Sequence, residues 1–184
     1  MDVFLETERL ILRRFTEKDV DNLFMMDNDP EVMRFINGGK PADRKTILNE
    51  MIVKILEYYR AYDHYGFWAV LHKSDNHFIG WFHFRPKPDN PGEIDLGYRF
   101  IRSAWGKGYA TEGSSALILK GFEQLGIKKV SARALPQNKV SIRVMEKAGM
   151  TFEKSVLDES GNELVQYAIE KPTPYWPSYL IVVQ

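Results

Sequence analysis

One join in the chain constrains its architecture more than any other: an alternating stretch runs into a glycine-spaced turn, and a helical stretch leaves it. Residues 93–100 place Ile94, Leu96 and Tyr98 on one face and Glu93, Asp95 and Gly97 on the other, which is the period of a strand. Gly106-Lys107-Gly108 follows after a few residues. From about residue 108 to 125, Leu117, Gly121, Phe122 and Leu125 then recur at helical spacing, with Gly126 as a stop. A strand that hands over to a long helix through a short turn predicts helices packed on a sheet, and so a chain of mixed α/β class.

The remaining segments extend that reading. A first strand is predicted over residues 10–15, where Leu10 and Leu12 alternate with Arg13. Thr16, with Asp19 three residues on, predicts a helix entry, and Val20, Leu23 and Phe24 form its apolar face. A longer helix starts near residues 41–43 and carries the stripe Ile47, Met51, Ile55, Tyr58 and Tyr62. After Gly66 the period changes to that of strands: 67–71 and 77–84 around the turn at 73–76 predict a hairpin. Pro86, Pro88 and Pro91 enforce a loop before the strand at 93–100. Beyond the glycine turn come a strand at 128–135, a short helix at 141–148 and a hairpin from 152–157 and 164–169. The predicted order is β-α-α-β-β-β-α-β-α-β-β, a mixed α/β (α+β) arrangement whose hairpins forbid a purely parallel sheet. Residues 1–171 are expected to form one domain. The tail 172–184, with Pro174-Tyr175-Trp176-Pro177, is expected to pack on that domain or on a partner subunit, which leaves a homodimer open.

Composition narrows the function classes. The chain has 184 residues, 44% hydrophobic and 27% charged, enough for a sizeable core. Acids and bases balance at 25 each, so the basic surplus of a nucleic-acid binder is absent. There is no cysteine, which removes disulfides, thiolate nucleophiles and thiolate metal sites. His64, His72, His77 and His83 have no paired ligand spacing, so no metal is expected. No apolar run reaches the roughly 18 residues of a membrane span, and the first residues lack a signal-peptide pattern. The expected location is cytoplasmic.

The turn itself predicts an anion site. The first N–H groups of a helix have no partner inside it, and the helix dipole adds positive potential at the same place. Glycines bring a phosphate close to those amides, and Lys107 adds a charge. The Walker A pattern is absent. A dinucleotide fingerprint would want a glycine where Thr111 stands, and an acid at the end of the next strand, where Val130 to Leu135 offers none. A purely structural glycine pair remains open on spacing alone.

The string Trp105-Gly106-Lys107-Gly108-Tyr109-Ala110-Thr111-Glu112 resembles the coenzyme motif of the GNAT superfamily of N-acetyltransferases, [QR]-x-x-G-x-[GA], through Gly108 and Ala110. Trp105 stands where that motif has glutamine or arginine. This departure is similar to the ribosomal-protein N-terminal acetyltransferase-like branch, with W-G-x-G-Y-A-x-E. Asn138-Lys139-Val140-Ser141 through Glu146-Lys147-Ala148-Gly149-Met150 resembles that branch's second motif, and Leu5 to Arg13 its opening. The resemblance runs in order over residues 5–170. It implies a splayed mixed sheet and acetyl-CoA as co-substrate. It implies the pantetheine arm along the backbone of Phe100, Ile101 and Arg102, and the pyrophosphate within Gly106, Lys107, Gly108, Tyr109, Ala110 and Thr111. It further implies that Asn138 bonds the coenzyme, and that the acceptor is a protein or peptide N-terminus or a small amine; the balanced charge and the lack of an apolar span speak against a nucleic-acid or membrane partner.

Acyl transfer to an amine needs the amine neutral, an oxyanion donor and help for the leaving thiolate. A primary amine of pKa about 10 is only about 0.1% neutral at pH 7, a deficit of about 4 kcal/mol. Asp95 is the first candidate base and Glu93 the second, two residues apart on one strand face. The main-chain N–H of Ile101 or Arg102 is the candidate oxyanion donor. Many relatives carry a tyrosine four residues before the helix-ending glycine. Met145 stands there in this chain, so Ser141 is the candidate partner of the coenzyme sulfur. That loss also admits a non-catalytic CoA-binding or interaction module. A nucleotide-binding oxidoreductase is disfavoured by the missing ribose-binding acid.

Overall fold

β-Branched and aromatic runs set an eight-stranded sheet, and two sets of helices cover its faces. The computed structural model describes residues 2–88 and 90–172. The expected tail contact lies outside these described residues, apart from its first position.

The strands are β1 (Val3–Glu6), β2 (Leu10–Arg14), β3 (Gly66–His72), β4 (Phe78–Pro86), β5 (Glu93–Phe100), β6 (Lys129–Ala134), β7 (Thr151–Leu157) and β8 (Glu163–Glu170). Their spatial order is β1-β2-β3-β4-β5-β6-β8-β7. Every neighbouring pair is antiparallel except β5 and β6, which are parallel. The helices are α1 (Val20–Asp27), α2 (Pro30–Asn37), α3 (Arg44–Thr46), α4 (Ile52–Ala61), α5 (Tyr109–Gln124) and α6 (Lys139–Lys147). A π-helical turn over Ile47–Met51 joins α3 to α4 in one continuous rod. The predicted order is present, with two additions. β1 forms an edge hairpin with β2, and α2 occupies part of the expected connector between the first two predicted helices. α2 is bounded by an Asp29 cap, Pro30 at its first position and Gly38 in the left-handed conformation at its end.

Strand alternation divides the sheet into two faces. One carries Phe82, Phe84, Ile94, Leu96 and Phe100 against Leu117, Ile118 and Phe122 of α5. The other carries Ala69, Leu71, Phe78 and Trp81 against Val20, Leu23, Ile52 and Ile55 of α1 and α4. We call them the α5 face and the α1 face.

Pairing between β5 and β6 stops early. Only Glu93, Ile94 and Asp95 align with Lys129, Val130 and Ser131. Beyond that point β5 stays on β4 as far as Phe100, while β6 stays on β8 as far as Ala134. The sheet therefore forks after Asp95 and Ser131.

Candidate active site

The glycine turn enters α5 through two residues of left-handed backbone. Gly106 and Gly108 have φ of 74° and 82°, the left-handed region that side chains disfavour. The main-chain ladder of α5 begins with Glu112 N–H donating to Gly108 O, so the N–H groups of Tyr109, Ala110 and Thr111 precede it. The amino-terminal motif holds this turn. Glu112 accepts from Thr7 Oγ1 at 2.5 Å, Arg9 N at 2.9 Å and Arg9 Nε at 2.7 Å, while Arg9 also donates to Lys107 O at 2.9 Å. The Arg9 guanidinium lies 4.7 Å from the centre of the Tyr109 ring. Burial raises the Glu112 pKa, but its bonds from Thr7 and Arg9 outweigh this and hold it low. Glu112 thereby ties the turn to Thr7 and Arg9.

Trp105 explains its departure from the usual glutamine or arginine. Its indole N–H donates to Phe100 O at 2.9 Å, closing the end of β5.

The main-chain phase of β5 corrects one expectation. Lys87 N–H donates to Glu93 O and Ile101 N–H to Ile79 O, so odd-numbered residues of β5 turn their main-chain groups to β4. Ile101 N–H is committed at 3.0 Å and its carbonyl accepts from Ala104, so it is not free as an oxyanion donor. The even residues Leu96, Tyr98 and Phe100 face the β6 side, and of these Tyr98 and Phe100 open on the fork. Arg102 lies just beyond, with Nε 3.4 Å from Asp29 Oδ2.

On the α1 face, Asp95 and Glu93 have different surroundings. Glu93 is buried in an ion network with Lys87 and, at 3.6 Å, Lys129, where β5 and β6 are still paired. Asp95 stands at the fork with His83 Nε2 at 3.1 Å and Arg85 at 3.5 Å. The His83 N–H is off the axis of that contact, leaving the buried nitrogen without a well-formed hydrogen bond. Burial pushes the Asp95 carboxyl up, but the close contact with His83 and the charges of Arg133 and Arg85 hold it well below the carboxylate range. Burial lowers the His83 pKa further than Asp95 raises it, so the ring is neutral at pH 7. His83 was not singled out by its sequence context. Its position follows from cross-strand pairing with Gly97, where a Cβ would come within 2.4 Å of the ring. Phe67 and Trp81 flank the ring at centroid distances of 5.8 and 5.9 Å. His83, Asp95, Gly97 and Arg133 line a cavity of about 530 Å³.

On the α5 face, Asn138 caps α6 by accepting from Ser141 N–H at 3.2 Å, the helix-entry role that its residue type suggests. Ser141 Oγ lies 2.9 Å from Tyr98 OH. Burial pushes the Tyr98 phenol up to about 12. A phenol is therefore present beside Ser141, but it comes from β5 and not from the Met145 position. The fork thus separates the base-side candidates on one face from Ser141 and Tyr98 on the other. Among the described residues no cluster of potential metal ligands occurs.

Comparison with known proteins agrees with this fold. The acetyltransferase (GNAT) domain matches residues 9–151. The uncharacterized N-acetyltransferase p20 of Bacillus licheniformis is 31% identical over 153 residues, covering 83% of this chain and 84% of its own length. The structure of a GNAT-family acetyltransferase from Bacillus anthracis is similar with a TM-score of 0.78 and 25% identity, over 93% of this chain and 99% of that one. The ribosomal L7/L12 alpha-N-protein acetyltransferase RimL, solved in complex with coenzyme A, shares the fold with a TM-score of 0.77 and 16% identity, over 92% and 98% of the two chains. With most of its length matched by that domain, this chain belongs to the GNAT family and is an acetyl-CoA-dependent acetyltransferase.

Proposed function

We propose that the chain acetylates a primary amine by direct attack on acetyl-CoA threaded through the fork between β5 and β6. The observation that carries this is the fork itself, with an open helix start on one face and a polar cluster on the other. The diphosphate rests on the amides of residues 106–111, and the pantetheine arm pairs with the even-numbered edge of β5 and runs past Asn138. The oxyanion is met by a main-chain N–H of that edge, Tyr98 or Phe100.

The amine arrives from the α1 face. An Asp95 carboxylate held this far below its usual range is a weak base, so its part is to orient His83 and stabilise the imidazolium. With the Nε2 proton turned to Asp95, Nδ1 keeps a lone pair and takes the amine proton as attack proceeds. Such contacts tighten when substrate binds, in keeping with the off-axis geometry found here. Glu93, already ion-paired on both sides, is left to stability.

On the other face Ser141 donates to the leaving sulfur, and Tyr98 donates to Ser141. A phenol near 12 does not give its proton outright to a thiolate of pKa roughly 8.5, because the uphill step is about 5 kcal/mol. The pair therefore stabilises the thiolate by hydrogen bonds.

The acceptor is a protein or peptide N-terminus or a small amine. A free-thiol assay with acetyl-CoA across peptides, polyamines and aminoglycosides tests the reading. Thiol release dependent on one acceptor class is expected. Coenzyme binding without transfer to any amine would leave only a CoA-binding module.

A further inference from the structure

The cavity on the α1 face holds a charge that acetyl transfer does not require. Its acids are largely committed. Asp95 is shared between His83 and Arg85. Asp158 accepts from the N–H groups of Ser160 and Asn162 at 2.9 and 2.8 Å and from the Asn162 amide at 2.9 Å, which closes the turn between β7 and β8. Glu159 is an exposed residue of the same turn at the cavity's edge. Of the two cations, Arg85 is drawn to Asp95 and lies 5.2 Å from the centre of the Phe67 ring. Arg133 is exposed and makes no ion pair or side-chain hydrogen bond among the described residues, yet it lines the cavity and its charge acts on Asp95 without direct contact.

The position of Arg133 is informative. It lies on β6 two residues past Ser131, where pairing with β5 has ended. It therefore stands on the β6 wall of the fork, while His83 and Asp95 stand on the β5 wall. An amine directed at His83 has this guanidinium on its far side. A second ammonium there, as in a polyamine, meets the like charge of Arg133, while Asp95 and Asp158 in the same cavity already engage other groups. A carboxylate or phosphate there meets a planar donor fork suited to two parallel hydrogen bonds.

We propose that the acceptor is a small amine bearing an acidic group a few bonds from its nitrogen, with the nitrogen at His83 and the acid on Arg133, Arg85 assisting. This rests on the transfer reading above and names the substrate class for that same site. The acid can be a carboxylate or a phosphate, since the guanidinium serves both alike.

The test uses matched acceptors with the full chain and saturating acetyl-CoA: ornithine against putrescine, and phosphoethanolamine against ethanolamine. In at least one pair kcat/KM is expected to favour the acid-bearing member by roughly tenfold or more, the scale of one charge-assisted contact. Arg133→Gln should erase most of that preference by raising KM for the acidic acceptor, and Arg133→Lys should restore part of it. Equal or better turnover of putrescine and ethanolamine, or a preference untouched by Arg133→Gln, overturns the proposal. Calorimetry of the same acceptors with the CoA-loaded protein separates the two readings. Acid-selective binding with no turnover sinks transfer and keeps the acid site. Turnover without acid selectivity sinks the acid site and keeps transfer.

Discussion

At the scale of single residues, the proposed mechanism turns on one imidazole and the space made for it. His83 is half-buried, flanked by two aromatic rings, and seated over Gly97 because that residue has no side chain. His83→Gln is expected to lower kcat/KM about a hundredfold, the lower end of what a positioned base contributes. The pH profile is the sharper readout. The ring must be neutral to act, and burial lowers its pKa, so activity should rise with pH through a value below the ordinary histidine range and then hold. That acidic limb should vanish in His83→Gln. Asp95→Asn should move it to still lower pH, because the carboxylate is what favours the protonated ring. Gly97→Ala puts a methyl group into the ring's position, with an expected cost of about 1–3 kcal/mol in stability and the loss of most turnover, read by denaturant unfolding and steady-state rates.

At the scale of elements, two distant stretches of sequence act as one device. Thr7 and Arg9 lie just before β2, and Glu112 lies in the first turn of α5. Their bonds hold the glycine turn in register with the sheet. Removing the clamp should loosen the coenzyme more than it slows chemistry. Arg9→Ala is expected to weaken CoA binding roughly tenfold, about 1.4 kcal/mol, with little change in kcat. Calorimetric titration with CoA checks this, and unchanged affinity would mean that the turn holds its shape without Arg9. Sequence spacing marks both stretches but not their partnership, since a bond across 103 residues has no local signature. α2 is a different case. Its cap, its proline and its terminal glycine are all readable in the chain, yet eight residues give too short a period to stand out from a loop.

Across the whole molecule, the proposed mechanism assigns the two faces of the sheet separate roles, with the fork between them. A buried ion pair fastens the α1 face. Arg99 of β5 meets Asp27 at the end of α1 at 2.7 Å and lies over the Trp81 ring. Asp27→Ala would leave the guanidinium buried without its counter-charge, and a loss of about 3–5 kcal/mol is expected in denaturant unfolding. A loss under about 1 kcal/mol would show that the α1 face closes without the pair.

Local chemistry was enough to determine the class of this molecule. Alternation marks Leu10–Arg14 and β5 as strands, an apolar run marks β3, and the 3.6-residue stripe marks α5, because each depends on neighbours within a few residues; the two glycines before that helix predict an anion site on the same local grounds. The candidate site belongs to tertiary structure. That β5 and β6 part after Asp95, that Ile101 spends its N–H on β4, that His83 faces Asp95 while Tyr98 faces Ser141, and that Arg133 stands unpaired across the gap all follow from strand register. Register is set by the pairing of distant segments, and a shift of one residue would send every one of these side chains to the opposite face.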